Sequence, residues 1–163
     1  MMSRVGRGYH LLMEACGYAA ALLFGIIAVL ITLDVGLRNL GLGTLPWILE
    51  VSEYGLTFAT FIGAPWLLYH GGHVRIEILL QAMPHRLATA MEILADVAGA
   101  GICLVFVYYG MAVVLDAWRI GALVIKTLVF PEWWILAPVP FCAALMTLGF
   151  LRRIALALAQ SEP

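Results

Sequence analysis

Residues Thr44 to Glu77 read TLPWILEVSEYGLTFATFIGAPWLLYHGGHVRIE, and this stretch decides the fold. From Tyr54 to Tyr69 it carries no charge and is rich in Phe, Leu, Ala and Gly. Specific polar groups crowd both flanks: Trp47, Glu50 and Glu53 before it, His70, His73, Arg75 and Glu77 after it. A bilayer selects this pattern in a crossing helix, because hydrocarbon excludes charge and the headgroup zone accepts it.

Composition extends the reading to the whole chain. Of 163 residues, 64% are hydrophobic and 12% charged, with a mean hydropathy of +1.01. A soluble domain carries roughly 25% charged residues, and a chain of this size cannot hide so much apolar surface in a globular core. Lipid must receive it. The net charge of -1 and the lack of a strongly basic run exclude nucleic acid as a partner. Cys16, Cys103 and Cys142 are odd in number, scattered, and set in apolar runs, so they read as small packing residues rather than a disulfide set or metal cluster.

Four uncharged runs stand out: Ala15–Leu33, Tyr54–Tyr69, Val97–Leu115 and Trp133–Leu151. Only a helix satisfies its own backbone groups in hydrocarbon, so these are helices. The first follows Arg4 and Arg7 but is longer than a signal peptide's apolar region and has no A-x-A site after it, so it reads as a retained anchor. The expected fold is an all-α integral membrane protein, a single domain over 1–163 with spans near 15–37, 51–70, 88–115 and 133–152. Pro65, Pro138 and Pro140 should kink these spans. Arg4, Arg7, Arg75, Arg86, Arg152 and Arg153 lie on one set of ends, and Arg38, Arg119 and Lys126 on the other. That asymmetry places both termini in the cytoplasm, with 38–53 and 116–132 periplasmic. The second of these connections is too apolar for a free loop and reads as a helix extension, an interfacial segment or a covered patch. Trp118, Trp133 and Trp134 suit an aromatic belt at the outer interface.

Lipid gives no hydrophobic drive for helix pairing, so close packing needs small side chains. Gly17, Ala21 and Gly25 form one stripe, Gly55, Ala59 and Gly63 a second, Ala95, Gly99 and Cys103 a third. They build the bundle itself or, in one case, face another protein. Asp34 with Arg38, and Asp116 with Arg119, have helical spacing for ion pairs at span ends. Glu92 and Asp96, four apart, repel, so one of them should snorkel to the surface or find a basic partner on another protein. Glu50 and Glu53 share a helix face and are either a solvated acidic helix start or a contact surface. His70 and His73 lack the companions a metal or haem site requires, and His10 and His85 lie at other ends, so no metal or cofactor is expected. His73, Arg75 and Glu77 instead suit an ordered turn after the Gly71-Gly72 break.

The 44–77 stretch resembles the small, Q-type membrane subunit of tripartite ATP-independent periplasmic (TRAP) transporters. The resemblance rests on Leu45-Pro46-Trp47 with Glu50, on Phe61-Ile62-Gly63-Ala64, and on Gly71-Gly72-His73-Val74-Arg75-Ile76-Glu77. A weaker match lies at Phe130-Pro131 and Trp134 with Pro138. Leu49 stands where the family often has a second acid, His70 where it often has a basic residue, and Glu77 where it often has Asp. The resemblance implies a multi-pass subunit of the bacterial inner membrane that catalyses nothing. It would scaffold a large ion-coupled membrane subunit taking up an organic acid delivered by a periplasmic binding protein. Arg38, Trp47, Glu50, Gly63, His73, Arg75 and Glu77 would then serve assembly or structure, among membrane lipids.

Two other classes are weaker. A stand-alone proton-coupled exporter of the small multidrug type needs a carboxylate near mid-membrane, whereas Glu14 and Asp34 flank the first uncharged run. A membrane redox or enzyme subunit would need paired histidines, a Cys-x-x-Cys or a buried nucleophile and base. Neighbouring genes for a large permease and a periplasmic binding protein would separate the three.

Overall fold

A computed structural model describes residues 4–71 and 85–160. Its elements are α1 (Arg4–Asn39), α2 (Pro46–Tyr69), α3 (His85–Ile120), β1 (Leu123–Ile125), β2 (Val129–Pro131), α4 (Trp133–Leu136) and α5 (Pro138–Gln160). α1 pairs along α2 and α3 along α5, while α2 packs on α5 to join the two pairs.

Among the described residues, three helical stretches are long and apolar enough to cross a membrane: Gly6–Asn39, Thr89–Ile120 and Trp133–Ala157. α1 and α3, at 36 residues each, reach about 54 Å at 1.5 Å per residue, so their ends project beyond a hydrocarbon core of roughly 30 Å. α2 is not among the three. Glu50 and Glu53 interrupt the start of its apolar sequence, and it packs between α1 and α5. Thr57 and Thr60 return their hydroxyls to the Glu53 and Leu56 carbonyls, and Ile48, Glu50, Ser52, Ala59, Pro65 and Leu68 are buried. In the apolar windows of α1 and α3 only 11% is buried, against 39% for the last stretch, so the first and third helices are the outer ones.

The buried side of α1 runs through Met13, Cys16, Ala20 and Ile27. Spacings of three, four and seven make this a heptad-like seam. It is displaced from the glycine stripe expected from sequence. A Cβ on Gly17 would run into the Trp66 ring, and one on Gly63 would sit 3.2 Å from the Ala20 Cβ, but nothing lies within 4 Å of Gly25. Two small cores hold the bundle. Met13, Cys16 and Leu145 form one, Leu68, Ala100, Cys103 and Phe150 the other.

α1 and α3 stop in the same way. Gly41 takes φ 72 and Gly121 takes φ 67. Leu42 N–H donates to the Leu37 carbonyl at 3.0 Å, and Ala122 N–H to the Ala117 carbonyl at 3.0 Å. These are Schellman closures, which favour glycine because a side chain strains the left-handed backbone.

The 116–132 connection holds a short two-stranded antiparallel hairpin in an otherwise helical fold, pairing Leu123 with Pro131, Val124 with Phe130 and Ile125 with Val129. Pro138 and Pro140 lie inside the Trp133–Ala157 stretch, in the first turn of α5, and the helix is interrupted just before them at Ala137. There their missing N–H groups have few intrahelical acceptors to disappoint. Ala137 keeps helical angles (φ -57, ψ -36), so α4 leads into α5 without a loop.

Candidate functional site

The charged groups gather at the two ends of the bundle. At the hairpin end, the Glu50 carboxylate accepts the Thr127 N–H at 2.7 Å on one oxygen and the Leu128 N–H at 2.9 Å on the other. Both donors lie in the three-residue loop between β1 and β2, and a three-residue loop cannot satisfy all its own amides. Glu50 supplies what the loop lacks. Glu53, one helical turn on, holds the neighbouring Lys126 Nζ at 3.0 Å. Lys126 also stands 5.3 Å from the centre of the Tyr54 ring, and Tyr54 meets Phe130 edge to face at 5.3 Å. The Glu132 N–H bonds the Ala122 carbonyl at 3.0 Å and closes the base of the hairpin. Asp34 performs a similar service for the α1–α2 connection, accepting the Leu45 N–H at 3.0 Å while Arg38 stands 3.7 Å away.

Glu50 lies ahead of the uncharged run of α2. Removal from water pushes its pKa up, but the Thr127 and Leu128 N–H groups, the Thr127 hydroxyl and the Lys126 charge outweigh that, and the net shift is downward from 4.5. A lowered carboxyl pKa means that the docked hairpin binds fewer protons than the released one. Docking should therefore be complete above the ordinary carboxyl range and be lost only as pH falls through the lower folded value. Glu50→Gln keeps the side chain's size but puts an NH2 against one of two N–H donors. Limited proteolysis at the Lys126 peptide bond should become fast in this variant at neutral pH and remain slow in the parent. Equal protection in both would remove Glu50 as the anchor.

At the opposite end, Arg153 Nη2 contacts Asp96 Oδ1 at 3.0 Å, and Asp96 is only 7% exposed. The basic partner that the Glu92 and Asp96 pair called for is thus in the same chain, on α5, and not in another protein. Arg152 lies over the Tyr9 ring at 5.4 Å, and Tyr9 meets Tyr69 at 5.8 Å. No ion pair joins Asp116 to Arg119 among the described residues.

The remaining sequence-derived residues divide clearly. Trp47 is 39% exposed, Trp118 63% and Trp134 54%, all at the hairpin end, where Trp133 lies 6.0 Å from Trp134 ring to ring. His73, Arg75 and Glu77 lie outside the described residues. Neither the use of Glu50 as an intramolecular anchor nor the role of Arg153 was anticipated. Among the described residues, no three His, Cys, Asp or Glu side chains converge as a metal site requires.

Three long apolar helices, exposed apolar flanks and carboxylates held at the bundle ends define a multi-pass helical membrane protein. A family model described as "Tripartite ATP-independent periplasmic transporters, DctQ component" matches residues 27–160, and the chain belongs to that family. No curated protein matches it.

Proposed function

We propose that this chain is the small permease subunit of a TRAP transporter. It scaffolds the large ion-coupled subunit, which takes up an organic acid delivered by a periplasmic binding protein. The family match over residues 27–160 carries this reading. The side-chain geometry is in keeping with it. Glu50, Asp34 and Asp96 are each bonded within the chain, while α1 and α3 leave long apolar faces such as Leu22, Val29, Ile102 and Phe106 exposed. Such faces suit lipid and a neighbouring membrane subunit, not an aqueous transport path. His73, Arg75 and Glu77 would extend the assembly surface.

α2 completes four crossings in this proposal. Its 24 residues span about 36 Å, enough for the hydrocarbon core, and its Thr57 and Thr60 hydroxyls bond its own Glu53 and Leu56 carbonyls. Arg4, Arg7, Arg152 and Arg153 put both termini in the cytoplasm of a bacterial inner membrane. A phosphatase active only in the periplasm, fused after Pro163, should be silent, and the same enzyme fused in the 126–128 loop should be active. The reverse pattern would invert the topology. The function itself is tested by reconstitution. Liposomes holding this chain alone should accumulate nothing, and uptake should require the large subunit and the binding protein as well. Uptake or export by this chain alone would overturn the proposal.

A further inference from the structure

Three helix ends meet around a cleft of about 310 Å³ at the end of the bundle away from the hairpin. The start of α1 gives it Tyr9, the end of α2 gives Leu68 and Tyr69, and the last turns of α5 give Arg152 and Leu156. Gly149 also lines it, and a Cβ there would come within 2.9 Å of Leu68 Cδ2 and 3.0 Å of the Tyr9 hydroxyl. Glycine thus lets both side chains pack close to α5. The two arginines of the cleft differ. Arg153 is committed to Asp96 at 3.0 Å. Arg152 is exposed and has no carboxylate within ion-pair distance among the described residues. It lies over the Tyr9 ring, and a ring face attracts a guanidinium without neutralising its charge. No carboxylate lines the cleft among the described residues. Glu14, elsewhere at this end, contacts His70 Nε2 at 3.2 Å. The cleft therefore carries one uncompensated positive charge, beside two phenols able to donate hydrogen bonds.

We propose that this cleft binds the headgroup of one anionic phospholipid, with its phosphate on Arg152. The height is right, because Arg152 lies where the apolar stretch Trp133–Ala157 ends and an arginine there keeps its head in the headgroup zone. The surroundings are right as well. Leu148, Arg152 and Leu156 are four apart on one face of α5, and both leucines are exposed. Leu148 continues that face toward mid-membrane, where an acyl chain would lie. The volume is at the lower end of small-ligand cavities, about 300–1,000 Å³, and suits a headgroup and glycerol whose chains stay in the bilayer. Basic pockets between membrane helices take such headgroups, and the guanidinium fork matches phosphate oxygens. Charge selects the lipid. A phosphodiester with an uncharged glycerol headgroup balances the single free positive charge. The ammonium of phosphatidylethanolamine would enter a cleft with no carboxylate to receive it.

Native mass spectrometry of the full chain released from detergent micelles tests the site, with phosphatidylglycerol, phosphatidylethanolamine or soluble glycerol phosphate added. The first phosphatidylglycerol should bind more tightly than the first phosphatidylethanolamine. Glycerol phosphate carries the same anionic group without acyl chains, and it should not displace the lipid. Arg152→Gln should weaken the first phosphatidylglycerol by at least about tenfold, the loss of one charge-assisted hydrogen bond. Arg7→Gln removes an exposed arginine at the same end but outside the cleft, and it should change that binding little. Failure to retain phosphatidylglycerol, equal binding of the two lipids, or displacement by glycerol phosphate would each overturn the proposal. So would a loss from Arg152→Gln no larger than that from Arg7→Gln, which would reduce the effect to diffuse charge attraction.

Discussion

Arg153→Ala should be the most destabilising single truncation at the terminal end of the bundle. Asp96 is buried on α3, and its side chain retains 9% exposure against 23% for Arg153. Removing the guanidinium leaves a carboxylate in the α3–α5 crevice without that cation. Breaking a buried pair by deleting one partner costs about 3–5 kcal/mol. The lower part of that range applies, because Arg153 is partly in water and Asp96 has further interactions. Thermal unfolding in detergent should show a clear drop in melting temperature for Arg153→Ala. The double change Asp96→Leu with Arg153→Leu should recover most of it, since both charges then leave together. A melting temperature unchanged by Arg153→Ala would mean that water already screens the pair.

Gly99→Leu should come next. A Cβ at Gly99 would lie 2.7 Å from Phe150 Cζ, and Phe150 belongs to the closed core with Leu68, Ala100 and Cys103. Leucine there must turn the ring out of its rotamer or separate α3 from α5, at a cost of about 1–3 kcal/mol. Gly25→Leu is the matched control. It makes the same exchange within a helix, with the same gain of about 1 kcal/mol in helix propensity, but nothing lies within 4 Å of its Cβ position. Gly25→Leu should leave the melting temperature unchanged or raise it. Equal losses from both substitutions would show that the packing at Phe150 is not what limits stability.

These two glycines also show how far sequence reading carries. The uncharged runs declare helices because only lipid explains them, and α1, α3 and α5 follow them. Small residues four apart mark a helix surface, but spacing does not say which neighbour arrives. Gly17 and Gly63 meet partners and Gly25 does not, because the seam of α1 runs through Met13, Cys16, Ala20 and Ile27. α2 shows the converse. Glu50 and Glu53 interrupt the start of its apolar sequence, yet it packs against both α1 and α5 and joins the two helix pairs.

The hairpin was out of reach for a different reason. Its strands are three residues each, its Lys126-Thr127-Leu128 loop lacks Gly or Asn, and its anchor Glu50 lies 77 residues before Thr127. Asp96 with Arg153, and Glu14 with His70, are likewise pairs that only the tertiary fold brings together. Charge spacing along one helix revealed Asp34 with Arg38, which is local, and missed these, which are not.

Affinity purification of the tagged chain from membranes of its own host, followed by mass spectrometry of the intact complex, bears most directly on the small-subunit assignment. The chain should emerge bound to one large membrane protein of many spans, in a fixed ratio. Recovery of the chain alone, or only with copies of itself, would contradict the assignment.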